Sequence, residues 1–227
     1  MRAVLIVLGI ALAALGITIV MSLMSGETKQ LSKAPQEDAW RRQEEQMLRD
    51  QQKAAAQRAG SDLKPGQEAP FNPPREGVIT ATMTVEKRGD VVMELYPKAA
   101  PKTVEQFARL MREGFYNGIL VHRVEPGFVV QAGNPNTKTL GLDAPEPQPG
   151  SVPAVPFEKN NLGHVTGSIG VALTAPQSAT GTSQFFINLK PNHFLDENYC
   201  VIGKVVQGMD VVEKIQRGDR IARIAVK

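Results

Sequence analysis

Residues 122 to 133 read HRVEPGFVVQAG, and residues 183 to 189 read SQFFINL. Both stretches are apolar enough for a core, yet Arg123, Gln131 and Gln184 sit inside them. In a strand alternate side chains share a face, so Arg123 projects opposite to His122 and Val124, while Gln184 and Phe186 share a face that Phe185 does not. A lone arginine is ordinarily solvated or half of an ion pair. Here the turn PGF follows it and Gln131 returns on the next strand, so an arginine and two glutamines are expected at the edge of a phenylalanine patch. Such a site suits a neutral, partly apolar ligand with one carbonyl to hold. It contains neither paired carboxylates nor a His/Ser couple.

The elements around these stretches are mostly short strands. VITATMTVEK and VVMELYP flank a glycine-containing turn and predict a hairpin. Further strand-like runs follow at LVHRV, FVVQAG, GSIGVAL, SQFFINL and CVIGKVV, and RIARIAVK closes the chain. APKTVEQFARLMREGFYNG predicts a helix that begins near Pro101, carries Val104, Phe107, Ala108 and Met111 on one face and stops near Gly114. A second helix is expected at MDVVEKIQ. Eight strand runs with two helices predict a mainly β domain, a closed eight-stranded antiparallel β-barrel capped by the two helices.

Composition narrows the function classes. The formal charge is +3 and evenly spread: ten Lys/Arg against nine Asp/Glu up to Gly77, sixteen against fourteen beyond it. No charge excess marks a nucleic-acid face, and no nucleic-acid partner is expected. Cys200 is the only cysteine and lies in an apolar run, which predicts a buried thiol and excludes an intramolecular disulfide. His122, His164 and His193 are scattered without ligand spacing, and no metal site is expected.

The first 76 residues read differently. Ala3 to Met24 carry no charge, a length suited to a membrane-spanning helix, and MSLMSG lacks a clear small-x-small cleavage pattern. Residues 1–25 are therefore expected to form an uncleaved anchor, with a cleaved signal peptide and a secreted domain as the alternative. Little chain precedes the segment, so the body is expected on the extracytoplasmic (periplasmic) side of a single-pass membrane protein. Residues 26–76 are a charged, proline-rich linker. Within it 37–59 predict a solvated spacer helix or a partner-binding one, and LKPGQEAPFNPPREG predicts an extended tether. The globular domain is placed at 77–227.

Taken together, FYNGILVHRVEPGFVVQAG, TGSIGVAL, GTSQFFINL and FLDENYCVIGKVVQGMDVVEKI resemble the cyclophilin family of peptidyl-prolyl cis-trans isomerases. The resemblance runs in order from Val78 to the C-terminus; the N-terminal 77 residues lie outside it. It implies a cyclophilin-like fold and a bacterial-type, membrane-anchored isomerase acting on proline-containing polypeptides and assisting their folding. The alternative is a non-catalytic module, a chaperone or scaffold, that grips proline peptides. By the same resemblance Arg123 matches the catalytic arginine. Phe128, Val129 and Gln131 match proline-pocket and substrate-contact positions. Ala172, with Leu173 beside it, matches the wall of the neighbouring peptide groove, Gln184 and Phe186 the polar–aromatic pair, and Phe194, Leu195 and Tyr199 the last wall of the pocket. The family chemistry implies no cofactor. Phe194 stands where many members have Trp, Tyr199 where they have His, Ala132 where a Gly often follows the glutamine, and Val129 where Met is more common. The family's inhibitor cyclosporin is accordingly expected to bind weakly.

Overall fold

A computed structural model of the chain describes Glu68 and residues 70–227. The anchor and the 37–59 helix expected from the sequence lie outside the described residues. Among the described residues no helix is long and apolar enough to cross a membrane.

The hairpin forms as its alternation dictates. β1 (Ile79–Val85) and β2 (Gly89–Leu95) pair antiparallel, Ile79 opposite Leu95 and Val85 opposite Gly89. Ala81, Met83 and Val85 face inward from one strand and Val91, Met93 and Leu95 from the other, all buried. α1 (Pro101–Arg112) starts at its proline and buries Val104, Phe107, Ala108 and Met111. No side chain of its own caps it. Instead the Glu158 carboxylate accepts the backbone N–H groups of Lys102 at 3.1 Å and Thr103 at 2.8 Å and the Thr103 hydroxyl at 2.7 Å. A negative group at the positive end of a helix satisfies orphan donors and complements the dipole.

The remaining strands are β3 (Arg123–Glu125), β4 (Val129–Ala132), β5 (Ser168–Val171), β6 (Phe185–Asn188), β7 (Val201–Gln207) and β8 (Ile221–Val226). They form one antiparallel eight-stranded sheet in the order β3-β4-β6-β5-β7-β2-β1-β8. The mainly β expectation and the strand count stand; the closed barrel does not. The sheet is a half-barrel, and its edge strands β3 and β8 share no ladder. In the strand-like run LVHRV the strand begins only at Arg123. Ahead of the two edge strands the chain segments do meet: Gly118 donates to the Ile221 carbonyl and Val121 to that of Asp219, both at 2.8 Å, while Ile221 donates to the Ile119 carbonyl at 2.9 Å and Gly218 to that of Val121 at 2.8 Å. These bonds surround an isolated Leu120–Arg220 bridge, and the Leu120 N–H itself donates to the Thr137 hydroxyl at 3.1 Å.

The helices also depart from expectation. The second one, α3 (Met209–Val212), is a single turn, because Lys214 and Ile215 donate to Val211 and Val212 three residues back rather than four. An unexpected turn, α2 (Thr137–Leu140), follows Asn134, whose side-chain oxygen accepts the N–H of Asn136 at 3.0 Å. A 3₁₀ turn at His193–Leu195 completes the set among the described residues. Cys200 is buried, as its apolar context required, and burial pushes its thiol up to about 12.

The sheet's two faces have different uses. Val130, Ile187 and Ile169 lie opposite one another on β4, β6 and β5 and point into the main core with Phe107 and Met93. Every second residue of the same strands points the other way.

Candidate active site

On that outward face one row crosses four strands. Arg123 on β3 lies opposite Gln131 on β4, Gln131 opposite Phe186 on β6, and Phe186 opposite Gly170 on β5. Opposed residues in a ladder have neighbouring side chains, so the register alone brings guanidinium, amide and aromatic ring into one line. Gly170 ends the row for a steric reason: a Cβ there would lie 2.3 Å from Cζ of Phe186. The ring therefore lies down over the glycine and forms a floor.

The arginine is oriented from several sides. Its Nη1 approaches Gln131 Oε1 at 3.5 Å, its Nε lies 3.6 Å from Glu125 Oε1, and its Cζ stands 6.0 Å from the centroid of the Phe128 ring. About a third of its side-chain surface stays open, at 30%, so the donor fork reaches the solvent side of the sheet. Gln131 passes the chain on, its Nε2 donating to Gln184 Oε1 at 3.2 Å. Gln184 in turn donates to the carboxylate of Glu146, a residue the sequence did not single out.

Beside this polar line lies an apolar cluster separate from the main core. Val129, Phe186 and Leu195 are buried in it, and Phe128, Ala172, Phe194 and Tyr199 pack against them half-buried. Phe128 and Phe194 stack at 5.8 Å and 20°, and Tyr199 meets Phe186 edge-on at 5.9 Å and 85°. The backbone N–H of Ala172 donates to the Gln184 carbonyl at 3.0 Å, tying the residue after β5 to the glutamine. Buried amides hold the walls together: Asn192 Nδ2 donates to Asn188 Oδ1 at 2.7 Å and to the Phe128 carbonyl at 3.2 Å. Of the residues singled out from the sequence, Leu173 alone stays apart, packing against the main core.

Two histidines behind this surface also escaped the sequence reading. His122 is pushed down to about 4, by burial first, then by the charges of Arg123 and Arg217, with a hydrogen bond to Gln184 opposing. His164 is wholly buried and likewise held below its ordinary range, by burial against the pull of Asp196. An unfolded histidine titrates near pH 6.5. Between that value and the folded one, the unfolded chain binds protons that the folded chain refuses. The stability both residues contribute is thus complete above about pH 6.5 and is lost as the pH falls below it, for His122 toward about 4. Urea unfolding at pH 7.5 and at pH 4.5 should show a loss on the order of 2 kcal/mol. An unchanged midpoint would mean that neither imidazole is held neutral by the fold.

A sheet-borne arginine beside two glutamines thus borders an apolar cluster, an arrangement suited to a neutral, partly apolar ligand. Residues 80–226 match the family described as cyclophilin type peptidyl-prolyl cis-trans isomerase/CLD. The chain is 44% identical over 146 residues to a probable peptidyl-prolyl cis-trans isomerase of Brucella suis, covering 62% of this chain and 74% of that one. It is 36% identical over 148 residues to peptidyl-prolyl cis-trans isomerase B of Bacillus subtilis, covering 65% and 98%. A solved Cryptosporidium parvum cyclophilin type isomerase, crystallised in the presence of the dipeptide Ala-Pro, shares the fold. Its TM-score is 0.56 at 24% identity, over 65% of this chain and 98% of that one. The chain belongs to the cyclophilin-type peptidyl-prolyl cis-trans isomerase family, and its activity is peptidyl-prolyl cis-trans isomerisation.

Proposed function

We propose that Arg123 is the catalytic donor of this isomerase and that the Phe128–Phe186–Leu195 pocket seats the proline ring of a polypeptide substrate. The observation that carries this reading is the row Arg123–Gln131–Phe186–Gly170, which sets a charged fork beside an apolar floor. Rotation about a peptide bond faces a barrier of about 18–20 kcal/mol, and X-Pro bonds isomerise in tens to hundreds of seconds. The barrier is lost resonance. As the C–N bond twists, the proline nitrogen pyramidalises and gains a lone pair that accepts a hydrogen bond. A guanidinium placed there stabilises the twisted state and not the planar one, which is the condition for catalysis. Gln131, Gln184 and the Ala172 backbone hold the flanking chain while the acyl side swings. A protease-coupled assay on a proline tetrapeptide tests the reading. Acceleration over the uncatalysed rate is expected, and binding without acceleration would favour the non-catalytic module.

Phe194 bears on inhibitor binding. Stacked on Phe128, it keeps an apolar wall but offers no N–H donor, whereas an indole at this position carries one. Loss of a hydrogen bond worth about 0.5–1.5 kcal/mol, plus ring contact, weakens cyclosporin by roughly tenfold. Phe194→Trp should therefore tighten cyclosporin while leaving kcat/KM within a few-fold, as titration of both forms will show. Tight binding by the unaltered protein would remove Phe194 as the determinant.

The uncharged segment from Ala3 to Met24 supports a single-pass anchor with the isomerase domain at 77–227 on the periplasmic side, assisting folding there. Full-length protein should remain with membranes after salt and alkaline washing. Mature protein beginning beyond Ser25 would convert the anchor into a signal peptide.

A further inference from the structure

We propose that His164 and Asp196 are positioning residues of the proline pocket, locking the Phe186 floor to the Phe194–Leu195 wall. The proposal rests on the assignment of those three residues to the pocket. Asp196 directly follows the 3₁₀ turn that carries the wall. Its Oδ1 accepts the backbone N–H of His164 at 2.6 Å and the ring Nδ1 at 2.9 Å, and its Oδ2 lies 3.0 Å from Nδ1 of His193. From the other direction, the backbone N–H of Asn192 donates to the His164 carbonyl at 2.7 Å. His164 is thus stitched to the wall segment through its N–H, its C=O and its side chain.

The floor rests on the same residue. The His164 ring stacks on Phe186 at 5.8 Å with the planes 14° apart. Phe186 is held between this imidazole, the bare backbone of Gly170 and the edge-on ring of Tyr199. A carboxylate only accepts, so Nδ1 carries the proton and Nε2 is bare. That Nε2 is buried without a hydrogen-bond partner, as is Nε2 of His193. An unmade buried hydrogen bond is destabilising, and a phenyl ring in the same place would not incur it. Packing alone therefore does not account for an imidazole here. What the imidazole adds is a directional link: the ring that supports the floor is held in rotation by the carboxylate that ends the wall. Protonation is disfavoured by burial, so the link stays a neutral donor on a fixed acceptor.

Four variants of the full chain test this. His164→Phe keeps the ring and breaks the link; Asp196→Ala removes the acceptor; Asp196→Asn keeps an oxygen for both His164 donors and gives His193 a donor. Phe186→Ala reports on the pocket itself. Isomerisation kinetics on a proline tetrapeptide should show KM raised about five- to twentyfold in His164→Phe and Asp196→Ala, with kcat altered less than about threefold. Asp196→Asn should restore KM to within about twofold of the unaltered protein. Imidazole nitrogen NMR of the unaltered protein should show His164 as the Nδ1–H tautomer alone, and an Nε2–H form would overturn the proposal whether or not the variants fold. Folded His164→Phe and Asp196→Ala proteins with unchanged KM would overturn it as well, provided Phe186→Ala raises KM. If Phe186→Ala leaves KM unchanged, the pocket assignment fails and takes the proposal with it.

Discussion

Replacing Arg123 by alanine is expected to lower kcat/KM for X-Pro isomerisation by at least about tenfold, equivalent to 1.36 kcal/mol of lost transition-state stabilisation. The guanidinium is the group in the row able to donate strongly toward a proline ring lying over Phe186, and Gln131 and Glu125 hold it in place. Its donor capacity is used only when the nitrogen has pyramidalised, so the loss belongs in the rate more than in peptide affinity. Arg123→Lys should fail similarly. An ammonium is a point donor on a flexible stem, and it cannot keep one arm near Gln131 Oε1 and another near Glu125 while presenting a third to substrate. Activity surviving either change would remove Arg123 from the chemistry.

A comparably large effect is expected from a methyl group. Gly170→Ala would place its Cβ 2.3 to 2.8 Å from three atoms of the Phe186 ring, too close for contact. The backbone at Gly170 is not in the left-handed region, so the substitution meets no conformational obstacle. The ring must move, and its other sides are occupied by His164 and Tyr199. It can yield only outward, into the space meant for proline. Overpacking of this kind costs about 1–3 kcal/mol, and the filled pocket should raise KM by about tenfold or more. Adding Phe186→Leu should recover much of the thermal midpoint but not the activity, since the crowding is relieved by removing the floor. Wild-type KM in Gly170→Ala would show that the ring is not fixed where the pocket needs it.

Much of this arrangement was legible in local pattern. Period-two alternation turned Arg123 away from His122 and Val124 and separated Phe185 from Phe186, because strand geometry admits no other assignment once the strands are granted. Pro101 and Gly114 bounded α1 for equally local reasons. What was not legible depends on partners distant in sequence. Glu158 caps a helix that begins at Pro101, Glu146 meets Gln184, and Asp196 gathers His164 and His193, and none of these pairings leaves a periodic trace. The half-barrel is likewise a tertiary outcome, since 118–121 meets 218–221 at an isolated bridge rather than in a ladder between β3 and β8. Gly170 did carry a signal, a glycine inside a strand pattern, which marks close approach by another group. Leu173 was taken with Ala172 by adjacency, but β5 ends at Val171 and the chain turns Leu173 back to the core.

The central claim is that Arg123 acts on the twisted peptide bond and the apolar pocket on the ground state. Exchange NMR on an Ala-Pro tetrapeptide titrated with full-length protein measures affinity along the titration and on-enzyme cis-trans interconversion at saturation. For Arg123→Ala the claim requires interconversion slowed by at least about tenfold with Kd within about threefold of the unaltered protein. An unchanged interconversion rate, with the whole loss appearing in Kd, would contradict it and make Arg123 a binding residue.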